Sequence, residues 1–554
     1  MTLDTHSNIK VAVIGSGLAG LTAAHHLAGS QAEVHLFEKA PTLGMDAASI
    51  SVHPEHNSSQ KNIRIDNRFI DVVLFTNPHT GTDEIVHVWY VVLKNQRYYD
   101  RLTKLYKHLN IPVKPANFSF GWYSVHSPYV DSKSGAYEPL ELKPQDVTEK
   151  AAITSYLLYS GSRSVGTLAL YSRARQSLSA FLIWLYHSFI VTMSYFQLLI
   201  LATWHHATGH LQNERHAIAS MTLGQWFQSN HFHPFFVRHV FVPLFAAVCT
   251  NSWESMLKYP AADVLEYIAM GLFNESYVVA HGVEAVVKQL ITPVKHVHLA
   301  TEIVALEPVF QGSDDPLIRV IDADGNAYVF DHIIFATQGN QAVNLIQRYK
   351  QALMRLADSP HGPVVSRIVH SLQDQIDTLS RFQYDTSLVI NHKDTSLLPR
   401  ERTAWRALNM AILDKSIKLK DIKSAPIIPY PHDTTMTTHI LNMTHSEIDQ
   451  DIVYLQTTNP IAAPRPDTIL SVSWFQRATV TLDSKAALND LFCTCSNNSR
   501  KKTLGDRQGK ARLWFIGSYA WTGIPLLEGC VVSAEKVVVE GIGRREGLDI
   551  TIPW

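Results

Sequence analysis

Residues 10–38 read KVAVIGSGLAGLTAAHHLAGSQAEVHLFE. Lys10 to Ile14 is apolar and rich in valine, the pattern of a strand buried on both faces of a parallel sheet. A glycine loop follows, Gly15-Ser16-Gly17-Leu18-Ala19-Gly20, then a helix-forming run that closes at Gly29, then a second strand from Glu33 to Glu38. Backbone amides at a helix N-terminus hold a diphosphate, and the helix dipole favours its negative charge. In this spacing Gly15 makes the tight turn, Gly17 lets the backbone approach the diphosphate, and Gly20 lets helix and strand pack closely. Glu38 ends the second strand, where a carboxylate can accept from both hydroxyls of a ribose and would repel a 2′-phosphate. Strand, loop, helix, strand and acid in this order are far more specific than the glycines alone.

Outward from this unit, residues 40–62 are polar and rich in serine and histidine, and read as an exposed connection. Helical periodicity takes over from Tyr98, and residues 161–172 are rich in glycine and serine. The uncharged stretch 176–206 is long enough to cross a membrane. A single crossing would put the glycine loop and the C-terminal segment on opposite sides, so three readings stay open: a buried helical hairpin, an in-plane membrane contact through 179–204, or a wall of a lipid-sized channel. Residues 282–290 read as a short helix, residues 296–309 as a strand pair or bent strand, and Asp324-Gly325 as a hairpin turn. The chain closes with a strand (ARLWFIGS) and a helix (LLEGCVVSAEKVVVEGI).

Bulk properties exclude several classes. A chain of 554 residues exceeds one hydrophobic core, so two interleaved domains are expected. With 48 basic and 49 acidic residues no field of one sign attracts nucleic acid. Cys249, Cys493, Cys495 and Cys530 form neither a disulfide framework nor a CxxC pair, and the N-terminus enters a strand without an apolar leader. The expected location is intracellular, cytoplasmic or peripheral to a membrane, and not secreted. The 28 histidines show no metal-ligand spacing, so no metal is expected and they read as surface or hydrogen-bonded core residues.

The remaining motifs resemble the flavin-containing amine oxidase superfamily, and within it a fungal and bacterial branch of FAD-dependent, amine-oxidase-like proteins. The carrying residues are the glycine loop, Glu38-Lys39, Gly44, the strand 301–306, Phe335-Ala336-Thr337, Phe515-Ile516-Gly517-Ser518 and Glu528-Gly529-Cys530-Val531-Val532-Ser533. Met45 stands where the superfamily has a second glycine, Asp46 where an arginine often follows, and Ser518 where an acid is usual. The segments YPAADVLEY, THILN, TTNP and SWFQRATVTL extend the likeness across nearly the whole chain. The resemblance implies one non-covalent FAD. Its contacts would be Gly15, Ser16, Gly17, Leu18, Ala19, Gly20, Glu38, Lys39, Gly44, Met45, Ile303, Ala336, Thr337, Gly517, Ser518, Glu528, Gly529 and Cys530. Amides at Gly529 and Cys530 would stabilise negative charge on the ring, with Cys530 a bystander rather than a covalent anchor. Tyr519, Trp521 and Trp474 either shape the substrate face of the flavin or pack as ordinary core.

The expected fold is α/β: a Rossmann-like FAD domain from 1–85, 280–345 and 505–545, with an inserted mixed α+β substrate domain from 86–279 and 346–504. The expected activity is hydride transfer from a C–H bond of an apolar or amine substrate to flavin N5. Two other readings stand beside it, a double-bond isomerase of a lipid or polyene and a flavin-binding protein without catalysis. No catalytic residue is assigned, and the oligomeric state is left open.

Overall fold

A computed structural model of the chain describes residues 9–44, 49–52, 63–66, 72–75, 98–116, 118–126, 152–159, 177–271, 275–280, 282–311, 315–413, 434–445, 452–495 and 498–554. Five strands form a wholly parallel sheet: β1 (Lys10–Ile14), β2 (Glu33–Phe37), β3 (His296–His298), β4 (His332–Phe335) and β5 (Leu513–Phe515), in the order β3-β2-β1-β4-β5. β1 is central, with Ile14 level with Phe37 on one side and Phe335 on the other. Helix α1 (Leu18–Ala28) covers one face, and Val11, Ala12 and Val13 are wholly buried. Burial on both faces is why β1 carries no alternation of polar and apolar residues.

An antiparallel meander, Ile303–Val309, Leu317–Asp322 and Ala327–Phe330, adjoins the sheet. Its second turn holds Gly325 at φ 85°, the conformation expected of the Asp324-Gly325 hairpin. Residues 296–309 divide between two sheets, β3 in the parallel one and Ile303–Val309 in the meander. The core around the parallel sheet also takes Leu353, Leu372, Leu379 and Phe492 from the segment 346–504.

A second, seven-stranded sheet runs Ile469–Thr479, Gln383–His392, Leu455–Thr458, Met436–Ile440, Leu408–Leu413, Phe120–His126, Ala152–Tyr159. Its pairs are antiparallel except Leu408–Leu413 with Phe120–His126. A helical layer with its own core lies beside it, built on α2 (Leu178–Ala207) and α3 (Ala261–Gly271).

Helix α2 corrects the first reading of 176–206. The stretch is one unbroken helix of 30 residues, not a hairpin, and one whole side of it is exposed. Ser177 caps it by accepting the amide of Ala180, and it ends before Gly209 at φ 73°. No glycine, proline or asparagine interrupts residues 178–207, so nothing in the chain could turn it back.

Candidate dinucleotide site at the crest of the parallel sheet

The carboxyl ends of the parallel strands converge on one crest, where α/β sheets bind ligands. Gly15 adopts φ 101°, and its amide donates to Phe37 O at 2.9 Å. A Cβ on Gly20 would lie 1.9 Å from the Gly15 carbonyl oxygen, so α1 touches the loop directly. A Cβ on Gly17 would meet nothing within 4 Å, and the N-terminus of α1 receives no side-chain cap. The space in front of Gly17 is therefore open, as the approach of a diphosphate requires.

A second loop locks onto the first. The Gly44 amide donates to Ser16 Oγ at 2.7 Å, and a Cβ there would meet Ser16 O at 2.4 Å. Met45 and Asp46 lie outside the described residues. Glu38 Oε2 accepts the Ser16 amide at 3.0 Å and the Ser16 hydroxyl at 2.6 Å, while Oε1 accepts the Ala40 amide at 3.0 Å. A carboxylate has about four lone-pair sites, so Glu38 retains room for one further donor rather than two ribose hydroxyls. Lys39 is exposed. Glu38 is tied by backbone hydrogen bonds to His298 and Thr301, two residues before Ile303 opens the meander. Ala336 and Thr337 abut Gly15, with Ala336 O 3.1 Å from the position of a Gly15 Cβ.

The C-terminal segment reaches the same crest. Gly517 sits at φ 146°, and its amide donates to Ser533 Oγ at 3.0 Å, which in turn donates to Gly529 O at 2.7 Å. These bonds fix Ser518 against α4 (Leu527–Lys536), whose N-terminus also carries no side-chain cap. Burial pushes the Cys530 thiol up to about 11, against the Arg477 charge and the amides of Ser518 and Ala19. The Cys530 sulfur thus faces the first turn of α1, and the two ends of the chain meet. A thiol with so high a pKa stays protonated at neutral pH and is a poor nucleophile.

Glu528 points elsewhere. Its carboxylate accepts the amides of Arg101 and Leu102, both at 2.9 Å, and so caps the helix Asp100–His108. Glu535 lies nearby, accepting Trp554 Nε1 at 3.1 Å with Arg101 Nε 3.0 Å from its other oxygen. Burial raises both carboxyls to about 7. A carboxyl whose folded pKa lies above its unfolded value stabilises the fold below the unfolded pKa, and that contribution is lost as pH rises through the folded one. Between about pH 4.5 and pH 7 these two groups should therefore lower stability as pH rises. In thermal melts at pH 5 and pH 8, Glu535→Gln should show a smaller pH-dependent loss of Tm than the wild type; an equal loss refutes the assignment.

Two recesses flank Tyr519. One, of about 390 Å³, is lined by Gln338, Tyr384, Gln476, Arg477, Ser518 and Tyr519 among others. The other, of about 360 Å³, includes Asp263, Phe382, Lys485 and Trp521. Tyr519 is buried, edge-on to Phe382 at 5.1 Å, and Trp521 is edge-on to Phe492 at 5.4 Å. Tyr384 holds its phenol oxygen under the Gly339 amide at 2.7 Å. The Tyr519 hydroxyl and Gln338 Oε1 are buried with no hydrogen-bond partner among the described residues, so the rim offers polar groups to a ligand. Trp474 is not brought to this cleft; it stands 56% exposed on the sheet face further along its strand.

Sequence reasoning missed Arg477, Gln338 and Tyr384. SWFQRATVTL marks the Arg477 strand, but only the fold shows that this charge reaches Cys249 and Cys530. The histidines include two groups of potential ligands among the described residues, His205/His210/His216 and Glu33/His35/His296. In the first, the His210 and His216 rings stack 4.2 Å apart at 11°, so their in-plane lone pairs run side by side and do not converge. In the second, His35 Nε2 and Lys10 Nζ share Glu33 Oε1, each at 3.0 Å.

Crest, glycine loop and strand order define a Rossmann-like domain, and the family model for NAD(P)-binding Rossmann-like domains matches residues 13–68. In fold the chain is similar to putrescine oxidase: the wild-type enzyme bound to putrescine aligns over 97% of this chain and 99% of its own, at 11% identity and TM-score 0.50. Cyclohexylamine oxidase from Brevibacterium oxydans aligns over 97% and 100%, at 10% identity and TM-score 0.47. An oxidoreductase from Methanosarcina mazei aligns over 96% and 99%, at 12% identity and TM-score 0.48. No curated protein matches the sequence.

Proposed function

We propose that this chain is an FAD-dependent oxidoreductase of the amine-oxidase type, acting on an apolar or amine substrate, with the FAD held non-covalently. The observation that carries the reading is the packing of α1 against α4, with Ser518 and Arg477 lining one recess at the same crest. One dinucleotide can be gripped at its diphosphate by the first and at its ring by the second. The amides of residues 17–20 would hold the diphosphate, Glu38 and Ile303 the adenosine end, and Gly529, Cys530 and Arg477 the ring. When bound, the flavin supplies the hydride acceptor. The protein's share is positioning and electrostatics. Two uncapped helix N-termini and a guanidinium surround the place where negative charge would develop.

The 390 Å³ recess contains no carboxylate or histidine among the described residues that line it, while the recess on the other side of Tyr519 carries Asp263 and Lys485. The first suits a neutral amine or an apolar group, and the second offers a carboxylate to a charged one. Purified protein should show a flavin absorption spectrum, and anaerobic mixing with amines or unsaturated lipids should bleach it. Protein that takes up no flavin on reconstitution refutes the reading. Bound flavin that no compound of either class bleaches leaves binding intact and refutes the oxidoreductase assignment.

A further inference from the structure

The exposed side of α2 is the largest feature the dinucleotide site does not use. Leu178, Leu182, Leu185, Phe189, Met193, Phe196, Ile200 and Trp204 are each 49–75% exposed. The helix contains no Lys, Arg, Asp or Glu, and spans about 45 Å at 1.5 Å per residue. Its other side, with Ile190, Val191, Ser194, Leu198 and Ala202, is buried against the helical layer around α3. So long an apolar stripe on a protein surface marks an interaction site.

We propose that α2 lies in the plane of an anionic lipid surface, its apolar stripe immersed and its axis parallel to the membrane. Two observations select lipid over a second copy of the chain. The stripe advances in steps of 4, 3, 4, 4, 3, 4 and 4 residues. That is about 3.7 residues per turn, near the straight helix, whereas the seam of a left-handed helix pair needs about 3.5. Ile183, Tyr186 and Tyr195 are exposed beside it, so the apolar face is broader than the seam of a helix pair, as a flat surface accepts.

The second observation is charge. The segment packed beside the N-terminal half of α2, residues 230–241, exposes Arg238, His231, His233 and His239 and contains no acidic residue. His187 of α2 stacks on Phe235 of that segment at 4.0 Å, so these groups border the stripe. The sequence leading into the helix, residues 160–177, has three arginines and no acid. An exposed arginine with no acid in the segment beside an immersed apolar face matches anionic headgroups. The inner side of α2 faces α3, which carries Asp263 to the recess beside Trp521. Docking would thus set that recess one helix from the lipid.

The test is co-sedimentation of the full-length protein with vesicles of phosphatidylcholine alone and of phosphatidylcholine with one-third phosphatidylserine. The wild type should partition onto both, more strongly onto the anionic vesicles. The triple variant Leu185→Ser/Phe189→Ser/Phe196→Ser alters only exposed positions, so its circular dichroism and bound flavin should match the wild type. Its partitioning should fall by at least about tenfold, given the apolar area withdrawn. Arg238→Glu should remove part of the preference for anionic vesicles and leave phosphatidylcholine binding unchanged. Wild-type protein that stays in solution with both vesicles overturns the proposal. So does a triple variant that binds as the wild type does, or one that converts a dimer to a monomer while vesicle binding is absent throughout.

Discussion

Gly20→Val should purify without flavin colour, while Gly17→Ala keeps the fold and weakens flavin binding only modestly. The two glycines lie three residues apart in one loop, and their surroundings are opposite. A Cβ on Gly20 falls 1.9 Å from the Gly15 carbonyl oxygen and 3.0 Å from the Ala336 Cβ. The first neighbour is backbone, so no rotamer change relieves the clash. α1 must lift away from β1, and the first-turn amides move out of register with the diphosphate. Overpacking a tight contact costs about 1–3 kcal/mol, and the distortion falls on the elements that grip the ligand.

At Gly17 a Cβ meets nothing within 4 Å, and φ −62° suits any residue. Alanine there should cost the fold about 0.5 kcal/mol or less. The added methyl occupies only the space through which the diphosphate approaches. Flavin content by absorbance, and Tm with and without added FAD, separate the two effects. Gly20→Val that binds FAD with wild-type affinity would show that the dinucleotide does not sit at this loop.

Legibility in the sequence followed the range of the interactions. The unit 10–38 was readable because strand, turn and helix are set by neighbours within a few residues. The C-terminal strand and helix were readable for the same reason, as was the turn at Asp324-Gly325. What failed depended on distant partners. Glu528 looked like a flavin contact because its motif adjoins Gly529, yet its carboxylate caps a helix 427 positions away. Glu38 was assigned wholly to a ribose, and three of its acceptor sites go to Ser16 and Ala40.

Helix α2 was only partly legible, for another reason. Hydropathy does not distinguish a protein interior from a surface built to be apolar, so a buried hairpin, an in-plane membrane contact and a channel wall all stayed open for an uncharged run. The absence of any helix breaker between 178 and 207 held the better answer. Arg477 lay in a segment recognised only as a family mark. A strand's period places its side chain on a face, and only the fold brings that face to the recess it shares with Ser518 and Tyr519.

Arg477→Met should leave the protein coloured and make it a poorer oxidant. Flavin retention should persist because the diphosphate grip, at Gly15 to Gly20, is made of backbone amides that the substitution leaves in place. The charge of Arg477 acts on Cys249, Cys530, Tyr99 and Tyr259. Burial pushes all four of these groups up, so they stay neutral near pH 7 and do not cancel the cation's field; the acid opposite Arg477 in the sheet is Asp385, whose carboxylate is taken up by Asn251 and the Ser252 amide. Such a field favours negative charge at the ring end, and its removal should lower the reduction potential of the bound flavin. Losing one preorganised electrostatic group at a site of developing charge typically costs about 10²–10³ in rate. Anaerobic reduction of the flavin by substrate should slow by about that factor, with little change in the amount of flavin bound. Arg477→Lys keeps the charge but not the planar fork, and should recover most of the potential with less of the rate. A potential unmoved by Arg477→Met would remove the arginine from the ring's surroundings, and with it the electrostatic half of the functional assignment.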